Sequence, residues 1–180
     1  MSQAPELPLD PLLDALRLRR PQLEALRTSG LRGWLGAGCL RNPIWDARFG
    51  LRSVQTDWDV ALFEEEGQAR LEELLPGPWE AVDQAVYGHT SAEAGLASWP
   101  ETATAIGARL VPGGIEVLAP WGLEDLLEGV LRRSGGFSDR EAFEARAAKK
   151  RWGQRWPGLR FEAWQPGEPR LEPLRLSLPW

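Results

Sequence analysis

Leu9, Leu12, Leu13, Leu16, Leu23 and Leu26 recur at near-helical spacing, which predicts an amphipathic helix over 9–28. Pro21 falls inside this stretch and lacks the N–H that a helix interior uses, so two short helices are expected. After Gly30 and Gly33 the apolar run 34–37 reads as a strand, and Gly36-Ala37-Gly38 turns the chain into a helix over 39–49 that Gly50 ends. Pro43 is expected in the first turn of that helix. Residues 51–56 form a polar loop. From Asp57 the pattern changes to a period of two. Asp57 and Asp59 fall on one face of a strand, and Trp58, Val60 and Leu62 on the other.

The remaining pattern alternates short strands and helices. A helix over 64–75 starts on three glutamates and stops at Pro76-Gly77-Pro78. Residues 79–86 read as a strand or mixed segment, 88–98 as a loop, and 99–105 as a helical turn. Strands over 106–111 and 115–118 form a hairpin about Pro112-Gly113-Gly114. A helix over 121–131, a link over 133–137 and a last helix from a Ser138 cap to about Trp152 complete the pattern. The Pro-rich stretch from Pro157 is expected to lie extended over the surface. The organisation is then an N-terminal helical segment over 1–30, a mixed α+β domain over 31–156 and a tail over 157–180.

Two carboxylates side by side on one strand face repel unless a cation lies between them. Mg²⁺ favours oxygen ligands and is commonly held by one or two carboxylates together with substrate phosphates. Asp57 and Asp59 therefore point to a metal-dependent phosphoryl or nucleotidyl transfer site with Mg²⁺, or Mn²⁺ in its place. Glu116, flanked by Ile115 and Val117, is the candidate third acid if its strand neighbours that of Asp57; otherwise it is a solvated strand edge. Gly36-Ala37-Gly38 leading into a helix is the candidate phosphate cradle, since glycines admit close backbone approach and helix N–H groups face an anion. Arg41 can fork onto phosphate oxygens from the first turns of that helix.

Composition removes several alternatives. The 180 residues carry a net charge of −5, so the chain as a whole is not an electrostatic binder of nucleic acid. One cysteine, Cys39, leaves no internal disulfide and no cysteine-rich zinc site. His89 is the only histidine, which excludes sites built on two or three imidazoles, and it has no nucleophile elbow to serve. Ten tryptophans are read mainly as core or seam packing. The N-terminus has no signal-peptide pattern and no run reaches membrane-spanning length, so a cytoplasmic protein without a membrane partner is expected. Lys149, Lys150, Arg151 and Arg155 suit the C-terminal end of the last helix. A triphosphate or RNA contact beside Trp152 and Trp156 is the sharper reading of the same cluster. Arg109, on a strand, either pairs with an acid, binds phosphate or sits at the surface, and Glu101 with Thr102 reads as a helix start.

Four stretches carry a resemblance: Ala37-Gly38-Cys39-Leu40-Arg41-Asn42-Pro43-Ile44-Trp45-Asp46, Asp57-Trp58-Asp59-Val60, Trp99-Pro100-Glu101-Thr102-Ala103-Thr104-Ala105, and Ile115-Glu116-Val117-Leu118-Ala119-Pro120-Trp121-Gly122. Together they resemble a small bacterial nucleotidyltransferase-like family, first defined as a domain of unknown function and similar to the head domain of CCA-adding enzymes in the DNA polymerase β superfamily. The resemblance covers residues 30 to 160. It implies a polymerase β-like nucleotidyltransferase fold, a short mixed sheet with helices packed on one side plus N- and C-terminal helices. It also implies that Gly38 and Arg41 belong to the glycine-rich turn, Asp57 and Asp59 to the metal pair, and Glu116 to the third-acid strand. The chain departs from the family at Asp83-Gln84-Ala85-Val86-Tyr87-Gly88-His89, where an Asn-Gln-Ala-Arg-Met-His-like run is expected; the Asn, the Arg and the His have changed or slipped, and Gln84 survives.

The expectation is a nucleotidyltransferase that moves a nucleotide from a nucleoside triphosphate to an acceptor, which the sequence leaves open among RNA, protein and small molecule. Asp57, Asp59 and Glu116 would hold metal, and Gly36, Gly38, Arg41, Gln84 and Arg109 would contact the nucleotide. The rival is a catalytically degenerate nucleotide- or RNA-binding module on the same fold, which the altered 83–89 run favours.

Overall fold

A computed structural model describes residues 8–54, 57–164 and 166–177. The start of the N-terminal segment, the end of the 51–56 loop and the last residues of the tail lie outside them. The helical stretch at the N-terminus breaks as its proline requires, into α1 (Asp10–Leu18) and α2 (Arg20–Ser29). Leu12, Leu16 and Leu23 are fully buried in the same cluster as Leu35, Leu40 and Trp45, so this segment helps build the main core.

Strand β1 (Gly33–Gly36) leads into α3 (Gly38–Phe49), closed by Gly50 in the left-handed conformation. Pro43 lies in the second turn of α3 rather than the first, where it removes the N–H that would bond the Cys39 carbonyl. Arg19 Nε takes that carbonyl instead, at 2.9 Å, so the end of α1 satisfies the group the proline orphaned.

Strand β2 (Trp58–Leu62), α4 (Gly67–Leu74) and β3 (Trp79–Asp83) follow as a strand–helix–strand unit whose two strands pair in parallel. The segment 84–87 is a single tight helical turn. Residues 88–98, expected as a loop, contain the short helix α5 (Ala92–Ala97), which Ser91 caps by accepting from the Ala94 N–H at 3.0 Å. Strands β4 (Gly107–Val111) and β5 (Gly114–Leu118) form the expected hairpin.

The expected helix over 121–131 is shorter. Gly129 ends α6 (Glu124–Glu128) in the left-handed conformation, and β6 (Val130–Arg132) follows. The last helix is also divided, with Asp139 rather than Ser138 as its cap. Arg151, at a φ of 50°, separates α7 (Arg140–Lys150) from α8 (Trp152–Arg155). The tail adds two short strands, β7 (Arg160–Glu162) beside β6 and β8 (Leu174–Leu176) beside β5.

The main sheet is mixed, in the order β3-β2-β1-β4-β5-β8, with β2 and β3 parallel and the other pairs antiparallel. Leu35, Val60, Leu62, Ala108 and Val117 face the principal core, beneath the helices at both ends of the chain. Trp34, Ala61 and Leu118 face the opposite side, where Leu96 of α5 and Trp121 cover them. Trp45 contacts Trp156 edge-on at 5.1 Å and Trp152 at 6.5 Å, so α8 is docked on α3 by indole packing. Among the described residues no helix is long and apolar enough to cross a membrane.

Candidate functional site

The alternation that buries Val60 and Leu62 turns Asp57 and Asp59 to the other face of the sheet. The parallel register sets Glu80 of β3 beside Asp59. One carboxylate oxygen from each of Asp57, Asp59 and Glu80 lies within 4.8 Å of the others. On the opposite face Trp58 packs edge-on against Trp79, with ring centroids 5.0 Å apart, which pins the register that aligns the acids. The Asp59 acid is pushed up to about 6 by burial and then by the charges of Asp57 and Glu80, against the opposing pull of Arg41 and Lys150. Three crowded oxygens, one of them reluctant to ionise, form a donor set suited to a hard divalent cation.

Glu116 is not the third acid of this cluster. It shares the sheet face with Asp59, but β1 and β4 stand between their strands. Three strand spacings amount to roughly 14 Å. Its carboxylate is occupied by Arg109 at 2.8 Å and Arg175 at 2.9 Å, and these bonds hold its pKa below the usual range. Arg109 is correspondingly absent from the acidic site. It stacks over Trp34 at 4.0 Å and ion-pairs with Glu116 and Glu93.

Beside the acids opens a polar cleft of about 180 Å³ lined by Gly38, Arg41, Lys150, Trp152 and Arg155. Gly38 opens α3 and lies tight against its neighbours. A Cβ there would stand 3.3 Å from Arg41 Nη2 and from Asn42 Nδ2. Ala37, which caps the helix, is held at a φ of 54°, a conformation that L residues with side chains rarely adopt. Arg41 is buried and preorganised. It donates to Thr104 Oγ1 and, from Nε and Nη2, to Asn42 Oδ1 at 3.2 and 2.9 Å. Its guanidinium also lies 4.9 Å from the Trp152 ring centroid. Burial pushes its pKa down to about 10, which leaves it cationic at neutral pH. Gly36 has a different task. A Cβ there would collide with the Ile106 carbonyl oxygen, so this glycine permits the close approach of the chain ahead of β4.

A second, larger cavity of about 610 Å³ adjoins the cleft and shares Asp59, Glu80, Thr104 and Arg146 with it. Gln84 lines this cavity, not the cleft; its side chain is buried and donates to the Val82 carbonyl at 3.1 Å. Glu101 is fully buried, beyond a helix-start role, and accepts from Arg146 Nε at 2.7 Å, which fixes that arginine on the wall between the two spaces. Sequence reading missed Glu80 and Arg146. The strand–helix–strand order was the available signal for Glu80, because such a crossover commonly makes its two strands parallel neighbours. Nothing local marks Arg146, which reaches the site from α7.

The family model described as nucleotidyltransferase covers residues 24–161. The chain belongs to the nucleotidyltransferase family. A solved NMR structure described as revealing a CCA-adding enzyme head domain superposes with a TM-score of 0.71 at 30% identity, covering 84% of this chain and 94% of that one. No curated protein matches the chain. The expected mixed sheet and nucleotidyltransferase head architecture are thus present. Cys39 of this nucleotidyltransferase is buried at the start of α3, and burial pushes its thiol up to about 12, so it is packing material rather than a nucleophile.

Proposed function

We propose that the protein is a Mg²⁺-dependent enzyme, with Mn²⁺ as a substitute, that transfers a nucleotide from a nucleoside triphosphate to an acceptor. The observation that carries this reading is the cluster of Asp57, Asp59 and Glu80 set against a cation-lined cleft. The charged walls of the cleft suit an anion such as a phosphate chain. In this reading Gly38 lets the phosphate chain approach the start of α3, and Arg41, already locked by Thr104 and Asn42, meets its oxygens without reorganising. Lys150 and Arg155 supply further positive charge from α7 and the short helix after it. Asp57, Asp59 and Glu80 would hold the metal, which when bound neutralises charge on the transferring phosphoryl group and its leaving oxygen. The acids and cations thus divide the work, one set gripping metal and the other gripping phosphate.

The test is calorimetry and turnover with the four ribonucleoside triphosphates. Mg²⁺-dependent binding and turnover are expected, with Asp59→Ala abolishing turnover while far-UV circular dichroism is retained. Metal-dependent binding without turnover under any acceptor condition would favour the non-catalytic module instead.

A further inference from the structure

The cavity of about 610 Å³ has no task in the phosphate chemistry above, although Asp59 and Glu80 belong to both spaces. We propose that it receives the acceptor, and that the acceptor is a small hydroxyl-bearing molecule with an apolar or aromatic face, not a polynucleotide. This rests on reading the smaller cleft as the triphosphate site.

The first argument is directional. Nucleotidyl transfer is an in-line displacement: the acceptor oxygen bonds to the α-phosphorus, the bond from that phosphorus to the bridging oxygen breaks, and pyrophosphate leaves with the electron pair while the hydroxyl proton goes to water. If pyrophosphate departs among Arg41, Lys150 and Arg155, which line only the smaller cleft, the acceptor oxygen approaches the far side of the α-phosphorus. The larger cavity is the other space that Asp59 and Glu80 line.

The second argument is chemical. Val82, Trp99, Pro100 and Phe137 give this cavity an apolar wall. Its volume falls within the range of small-molecule sites, about 300–1,000 Å³. A few polar groups can orient a guest. Ser98 donates its hydroxyl proton to the Gly95 carbonyl at 2.7 Å, so it accepts from His89 Nε2 at 3.0 Å. In the neutral ring His89 Nδ1 is then left as an acceptor. The charges decide against a polynucleotide. Apart from the metal-holding acids, the cavity is lined by Asp139 and, as its one arginine or lysine among the described residues, by Arg146, which is already paired with Glu101. A nucleic acid strand brings a phosphate with each nucleotide and needs a cationic track to follow.

The experiment incubates the protein with Mg²⁺ and α-³²P-labelled nucleoside triphosphates in two arms, a sub-kilodalton fraction of cell extract and a single-stranded RNA oligonucleotide. Val82→Trp fills the cavity from β3, and Ser138→Trp obstructs its exposed rim should the first variant fail to fold. Label is expected in a sub-kilodalton product, and either variant should reduce it at least tenfold while Mg²⁺–nucleotide affinity by calorimetry stays within twofold. Labelled RNA, unaffected by the variants, overturns the acceptor assignment and leaves nucleotidyl transfer standing. Variants that weaken nucleotide binding as much as transfer assign the cavity to the nucleoside and also overturn it. Absence of nucleotide binding in the unmodified protein removes the triphosphate reading itself, and the acceptor assignment with it.

Discussion

Replacing Asp59 by asparagine should stabilise the metal-free protein while destroying its response to Mg²⁺. Asp59 ionises near 3.8 in an unfolded chain and near 6 in the fold, because burial and the charges of Asp57 and Glu80 oppose its carboxylate. A shift of about two units corresponds to about 3 kcal/mol. The folded state holds this proton more tightly, so between those two pKa values it carries more protons than the unfolded state. Stability contributed by Asp59 is therefore present at low pH, falls as pH rises through about 6, and is flat above. The amide introduced by Asp59→Asn would be neutral throughout and would lack this slope. In EDTA the variant should match the unmodified protein near pH 4 and exceed it by up to about 3 kcal/mol at pH 7.5. For a chain of this length that is roughly 6–12 °C in Tm. Added Mg²⁺ should reverse the order above pH 6, stabilising the unmodified protein and leaving the variant unmoved. Urea denaturation at both pH values, with EDTA or Mg²⁺, reads both effects. A variant no more stable than its parent at pH 7.5 in EDTA, or equally stabilised by Mg²⁺, would refute the reasoning.

Other outcomes follow from particular contacts. Glu80→Gln should abolish Mg²⁺-dependent turnover, whereas Glu116→Gln should leave turnover intact and cost on the order of 1 kcal/mol in chemical denaturation, because its exposed Arg175 partner is well solvated. Cys39, with its thiol near 12, should resist iodoacetamide at pH 8 in the folded protein and react fully in denaturant, as mass spectrometry would show. Trp156→Ala should cost about 3–5 kcal/mol by urea titration, since it empties a fully buried site against Trp45 and removes the 2.8 Å bond from Trp156 Nε1 to Asp46.

The sequence alone determined what depends on neighbours along the chain. The leucine spacing with Pro21 specified two opening helices, and the turn chemistry of Pro112-Gly113-Gly114 specified the hairpin. The period of two at Asp57 and Asp59 placed both acids on one face, because alternation is a property of the strand itself. The short α5 escaped notice because six residues hold less than two helical turns and show no period. The tertiary structure decided which strands became neighbours. It put Glu80 beside Asp59 through the α4 crossover and put Glu116, on the correct face, two intervening strands away. It likewise brought Arg146, Lys150 and Arg155 from the far end of the chain onto the α3 cleft, through tryptophan packing that no local pattern encodes. A carboxylate cluster that binds a cation is defined by distances across the sheet, and these follow from strand order rather than from spacing in sequence.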